Sequence, residues 1–441
     1  MNMKHYVGNH SKSAQRHSAE AAPSIKHNFG SGPDATKIYP GKSAKKPRTE
    51  SVGTPTAPVP PTKAGYLPAF LFAGFILTMT VLFLVLPKQT FSASEKRYLE
   101  KFPETSVETV LNGKFGKGFE TFFADHFPVR NLWVGVNAYA TLAEGNNGAN
   151  GVYYGKDNYL INKPISTKNE LDFNLWILED FKQIVGDTPV TAMFVPSTGY
   201  IMSDKLPLVH DTYNDDQYFS AIAESTQASG IDFIDLREPF KAAAQSGKQL
   251  YYRTDHHWTT EGAYTAYLEY CVRNGLQPLG KNRYTLESHE DFRGTTYSTS
   301  GFLLTPPETL EVWNNPDNKG DKITVTITDD GEEPVTTHSM FFNEHDKDAD
   351  KYPVFLDGNH ALTTITNDNV KDGTLLIVKD SFSHCFAPFL ADHYHKIIMV
   401  DMRLYVRSKT SDLIAAEHPD KILVLYGIDN FAEDMDFANL Q

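Results

Sequence analysis

Cysteine is nearly absent from the 441 residues. With only Cys271 and Cys385 present, no disulfide framework can organise the fold and one bridge is the most that could form. Two free or buried thiols are the favoured expectation. Basic residues are outnumbered too, 41 Lys and Arg against 55 Asp and Glu, for a formal net charge of −14. That balance lacks the basic patch nucleic acid binding calls for. The glycines Gly113, Gly116 and Gly118 have no Gly-Lys-Ser/Thr ending, which excludes a phosphate loop there. Metal-ligand spacings are also wanting: Asp346–Asp350 is followed by Lys351 where a calcium loop needs glycine, and His393 and His395 have no evident third ligand. The tail histidines His5, His10, His17 and His27 are too scattered to form a site. No metal and no cofactor is therefore expected.

What charge there is lies unevenly. Residues 1–65 hold ten Lys and Arg against Glu20, Asp34 and Glu50, so the tail is net +7 and the remainder −21. The tail mixes Ser, Pro, Lys and Gly with few aliphatics, and Thr54–Pro61 reads as an extended linker, so disorder is expected there. Tyr66–Leu86 then runs without a charge, about the ~20 residues that cross a bilayer as a helix. It is too long and too far from Met1 for a cleaved signal peptide. The positive-inside bias puts the tail in the cytoplasm and the acidic remainder outside, where its partners should be neutral or cationic.

Residues 90–165 read as a membrane-proximal segment. Val107–Phe123 is an amphipathic helix broken by glycines, Asp125–Arg130 opens a second helix, and Gly151–Ile161 forms a hairpin turning at Lys156–Asn158. From 166 to 441 the periodicity alternates: helices near 168–185, 214–228 and 259–274, and strands at Val190–Val195, Phe233–Leu236, Thr374–Val378, Ile397–Val400 and Ile422–Leu425. This predicts an α/β domain with a largely parallel sheet covered on both faces. Residues 280–370 interrupt it with short β-like runs, an insertion expected beside the sheet edge.

Ligands of open parallel sheets bind at the carboxyl ends of the strands, which singles out two junctions. One is Asp255-His256-His257-Trp258 and the other Lys379-Asp380-Ser381-Phe382. Read alone, an adjacent His pair is compatible with packing, and a serine between strand and helix with capping. Together they are what serine activation needs: a nucleophile, an imidazole base and a carboxylate that orients it. The backbone N–H groups after Ser381, beginning with Phe382, would face an oxyanion formed beside the serine. Adjacent side chains on an extended segment point opposite ways, so one imidazole shares the face of Asp255, and spacing favours His257.

These blocks, with Ser94–Arg97, Asp125–Arg130 and Val400–Arg403, resemble the bacterial DHHW-motif proteins, which are related to the SGNH-hydrolase-like domains of the alginate O-acetylation machinery. The resemblance covers roughly residues 90–435. It implies a three-layer SGNH-hydrolase-like fold with permuted motif order, Asp255 as orienter, His257 as base and Ser381 as nucleophile. Arg403 and Asn430, each just after a late strand, would fall where such folds place oxyanion or substrate contacts, and Tyr252, Trp258 and Tyr297 could stack on sugar rings. The expected activity is acetyl transfer to, or removal from, an extracellular polysaccharide, with a multi-span membrane acyltransferase as partner. A non-catalytic glycan-binding or scaffold subunit is the alternative, and metal-dependent hydrolysis a third.

Overall fold

The computed structural model describes residues 66–92, 97–165, 169–406, 408–433 and 435–440. The basic tail, its histidines, its proline-rich stretch and residues 94–96 lie outside them. The first helix, α1 (Leu67–Val85), has 19 residues, a mean hydropathy of 2.3 and no buried residue, so it is long and apolar enough to cross a membrane. Two helices, α2 (Val107–Leu111) and α3 (Lys114–Asp125), follow the glycine-broken pattern, separated at Gly113, which sits at φ +79. Next come α4 (Arg130–Ala143) and a small antiparallel sheet containing Val152–Tyr154 and Leu160–Asn162, turning through Lys156–Asn158.

Eight strands make the main sheet: β1 (Val190–Val195), β2 (Asp232–Asp235), β3 (Ile323–Thr328), β4 (Val335–Thr337), β5 (Leu362–Asn367), β6 (Thr374–Lys379), β7 (Lys396–Val400) and β8 (Lys421–Gly427). Their order is β4-β3-β5-β7-β6-β8-β1-β2. The five from β7 to β2 run parallel, and β4, β3 and β5 pair antiparallel. The parallel strands alternate two apolar faces. Met193, Ile377 and Leu425 pack to one side with Phe240, Ala263 and Phe386, while Ala192, Val378 and Val424 pack to the other with Leu178 and Phe219. Burial on both faces explains why these strands read as unbroken apolar runs.

The covering helices are α5 (Asn169–Val185), α6 (Asp215–Ser229), α7 (Arg237–Gln245), α8 (Thr260–Asn274) and α9 (Ser383–Leu390). Thr259 caps α8 through its hydroxyl, which accepts from the Gly262 N–H at 3.2 Å, and Gly275 at φ +65 ends it.

Two expectations change. The insertion is not simply beside the sheet: β3, β4 and β5 extend it, with β5 hydrogen-bonded to β7 from Leu362–Val400 to Thr366–Lys396. Strand pairing between segments some thirty residues apart leaves no local pattern. The Asp255 segment, moreover, does not directly follow a sheet strand. β2 ends at Asp235, α7 intervenes, and Asp255 sits in a tight loop closed by Tyr252 N–H to His257 O at 3.2 Å and Thr259 N–H to Leu250 O at 2.8 Å.

Candidate active site

The parallel strands carry their following loops to one end of the sheet. β6 delivers Asp380 and Ser381, β8 delivers Gly427–Asn430 and β1 delivers Ser197. The loop before α8 adds Asp255, His256 and His257. Ser381 Oγ lies 2.7 Å from His257 Nε2, and the other ring nitrogen, Nδ1, is hydrogen-bonded to Asp255 Oδ1. Asp255 and His257, neighbours in sequence, and Ser381, 124 residues beyond His257, thus form one continuous hydrogen-bonded line.

Asp255 is fully buried and receives four donors. Oδ1 accepts from the N–H and the ring of His257, and Oδ2 from the Thr295 N–H at 2.6 Å and the Thr295 hydroxyl at 2.8 Å. Burial opposes its charge, but the imidazoles of His257 and His256 and the hydrogen bonds from His257 outweigh that and hold the carboxyl well below the usual carboxylate range. Gly294 passes so close that a Cβ there would lie 2.1 Å from Asp255 Oδ2. A side chain at 294 would evict the carboxylate.

His256 occupies the flank of this line. Its ring centroid is 3.9 Å from that of His257, its Nδ1 is 2.7 Å from Thr295 Oγ1, and it lies 3.7 Å from Asp255 Oδ1. Donor atoms of Asp255, His256 and His257 fall within 4.8 Å of one another. Both ring nitrogens of His257 are, however, already directed at Asp255 and Ser381.

Around the serine the backbone donors are largely engaged by Asp380. Its carboxylate accepts from the Phe382 N–H at 3.0 Å, the Gly427 N–H at 2.7 Å and Asn430 Nδ2 at 2.8 Å. Burial pushes the Asp380 carboxyl up, against these donors. Asn430 therefore stands at the site, one N–H turned to Asp380. A cavity of about 40 Å³ opens beside it, lined by Val195, Ser197, His256, Phe382, Ile428 and Asn430.

Arg403 is directed elsewhere. Its Nε and Nη2 bind Asp401 at 2.8 and 2.6 Å, and Asp401 also accepts from the buried Lys379 at 3.0 Å. Trp258 is wholly buried, its indole N–H donating to Phe382 O at 3.0 Å, and Tyr252 is likewise in the core. Tyr297 is half-buried, its hydroxyl donating to Leu303 O at 3.2 Å. Cys271 and Cys385 are both free and buried, and burial pushes their thiols up to about 11 and about 12.

Thr295, Gly294 and Tyr352 escaped sequence reasoning. Each reaches the site from the chain between Trp258 and Ser381, with no motif spacing to mark it.

Residues 186–332 match the family model described as the SGNH hydrolase-like domain of the acetyltransferase AlgX, a span that holds Asp255 and His257. Over this span the chain is similar to the SGNH hydrolase-like alginate O-acetylation proteins. The probable alginate O-acetylase AlgJ of Pseudomonas syringae pv. tomato is 32% identical over 188 residues, covering 38% of this chain and 45% of the relative. Its Pseudomonas putida counterpart is 33% identical over 181 residues, with the same shares. The chain thus spans a little under half the length of these AlgJ relatives. Among solved structures, a DHHW family protein from Eubacterium siraeum superposes with a TM-score of 0.55 at 21% identity, over 66% of this chain and 95% of that one. Bacillus cereus PatB1 does so with 0.54 at 20% identity, over 64% and 96%. These two share the fold.

Proposed function

We propose that this protein is a membrane-anchored O-acetyltransferase, or acetylesterase, acting on an extracellular polysaccharide through an acyl-serine. The observation that carries the reading is the unbroken line from Asp255 through His257 to Ser381, with Nε2 2.7 Å from Oγ. The AlgJ relatives named as probable alginate O-acetylases supply the acyl group and the class of acceptor.

In this mechanism His257 Nε2 takes the Ser381 hydroxyl proton as Oγ attacks the acetyl carbonyl. The charge that develops on the imidazole faces the ionised Asp255. Among the described residues the Ser381 N–H has no hydrogen-bond partner, so it is free to donate to the oxyanion. Collapse returns the proton from His257 to the leaving oxygen and leaves acetyl-serine. An acceptor hydroxyl, or water, then gives its proton to His257 and attacks the ester, restoring the serine. α1 anchors the protein, and the basic tail on its cytoplasmic side leaves the site outside the cell, where a multi-span membrane acyltransferase would deliver the acetyl group.

The test is hydrolysis of p-nitrophenyl acetate by the detergent-solubilised full chain. Ser381→Ala should lower kcat by about 10³-fold or more. Equal rates in the two proteins would remove the serine mechanism. Wild-type protein that neither turns over the ester nor is labelled at Ser381 by a fluorophosphonate, yet binds oligosaccharide, would point to a glycan-binding subunit.

A further inference from the structure

Tyr352 belongs to the insertion, on the short turn Tyr352–Val354, yet its ring lies flat against that of His257. The centroids are 3.8 Å apart and the planes 7° from parallel. The phenol does not end there: its hydroxyl donates to the Ser381 carbonyl oxygen at 3.2 Å. One buried side chain therefore touches both the imidazole and the backbone of the serine. Its own placement is held from the insertion, by the Tyr352 N–H on Asp350 Oδ1 at 3.0 Å and by the Phe355 ring, edge-on with centroids 5.4 Å apart.

The need for such a contact follows from the geometry of the relay. Asp255 fixes His257 Nδ1, but a hydrogen bond to one atom leaves the ring free to tilt about that bond. Tilting would swing Nε2 off the Ser381 oxygen. Of the other rings beside His257, His256 is inclined at 36° and Phe382 at 60°, so neither offers a parallel wall. Tyr352 does.

We propose that Tyr352 is a positioning residue for His257, its stacked ring holding the imidazole plane so that Nε2 stays aimed at Ser381, and that the insertion serves the site through it. The inference rests on the Ser381–His257 mechanism proposed above. A mislaid base of about 1 Å costs on the order of 10²-fold in rate, and the face of the tyrosine, not its hydroxyl, does the positioning.

The test compares wild type, Tyr352→Phe, Tyr352→Leu and Tyr352→Met in full-length protein on p-nitrophenyl acetate, with Ser381→Ala as reference. Tyr352→Phe keeps the flat ring and should stay within about threefold of wild type. Tyr352→Leu should lower kcat by roughly 30- to 100-fold with KM changed less than about twofold. Tyr352→Met keeps the bulk without the planar face and should behave like Tyr352→Leu, which covers the case in which the leucine variant does not fold. The low-field proton resonance of the Asp255–His257 hydrogen bond should persist in Tyr352→Phe and broaden in the leucine and methionine variants. Folded leucine or methionine variants with wild-type kcat, alongside an inactive Ser381→Ala, would show that Tyr352 only packs. Full activity of Ser381→Ala would remove the mechanism and this role together.

Discussion

Asp255 has no access to water, and its charge survives because every lone-pair direction is answered: two donors from His257 and two from Thr295. An amide cannot reproduce that set. In Asp255→Asn one of the two oxygens becomes an NH₂ facing either the His257 ring or the Thr295 donors, and the imidazole is pushed to the wrong tautomer. We expect kcat for ester hydrolysis to fall by about 10³- to 10⁴-fold with the fold intact, read by kinetics and thermal melting side by side. At this scale much was legible in the chain. The two-residue spacing of Asp255 and His257 and the strand–turn–helix position of Ser381 have local signatures. Thr295 and Tyr352 have none, because a hydroxyl that supports a carboxylate or a ring that stacks on an imidazole is specified only by where the backbone passes.

At the level of elements, the end of β6 is fastened to the end of β7 by a buried ion pair. Lys379 reaches Asp401 at 3.0 Å and His384 Nε2 at 2.8 Å, and Arg403 closes on the same carboxylate. Burial, then the Lys379 charge, hold the His384 imidazole well below its ordinary range, so it is a neutral acceptor for the lysine. Lys379→Met would leave Asp401 with Arg403 alone. Breaking a buried pair from one side costs about 3–5 kcal/mol, and the remaining arginine puts the expected loss near ~3 kcal/mol in urea unfolding. The apolar strands and the amphipathic helices were readable as elements because burial imposes their periods. α7 was not, having only nine residues and a proline, Pro239, in its first turn. Nor was the enlistment of β3, β4 and β5 into the main sheet, since which strands pair is a long-range choice.

For the molecule as a whole, the acidic excess includes two carboxyls whose ionisation the fold opposes. Ser197 Oγ lies 3.0 Å from Asp215 Oδ2 and 2.8 Å from Asp429 Oδ1, and it has one proton to donate, so the second carboxyl must bring its own. Burial pushes Asp215 up to about 6, and burial with the charge of Asp215 pushes Asp429 up to about 7. Carboxyls of the unfolded chain titrate near ~3.9, so the native state holds more protons between these limits. The stability they contribute is full below about pH 4 and is lost as pH rises through 6 to 7. Asp429→Asn keeps the neutral form at every pH. Its melting temperature should match wild type near about pH 4.5 and exceed it by roughly 2–4 °C at about pH 8, as scanning calorimetry would show. By itself the sequence determined the apolar run of α1, the alternation of strands and helices, the charge asymmetry and the three residue types of the relay, because each is written in neighbouring positions through periodicity, composition or motif. Only the tertiary structure decided the extended sheet, the four donors on Asp255, the capture of Asn430 by Asp380 and the stacking of Tyr352 on His257. Apart from the two donors His257 itself supplies, those contacts join segments tens of residues apart, and their geometry exists only once the core has packed.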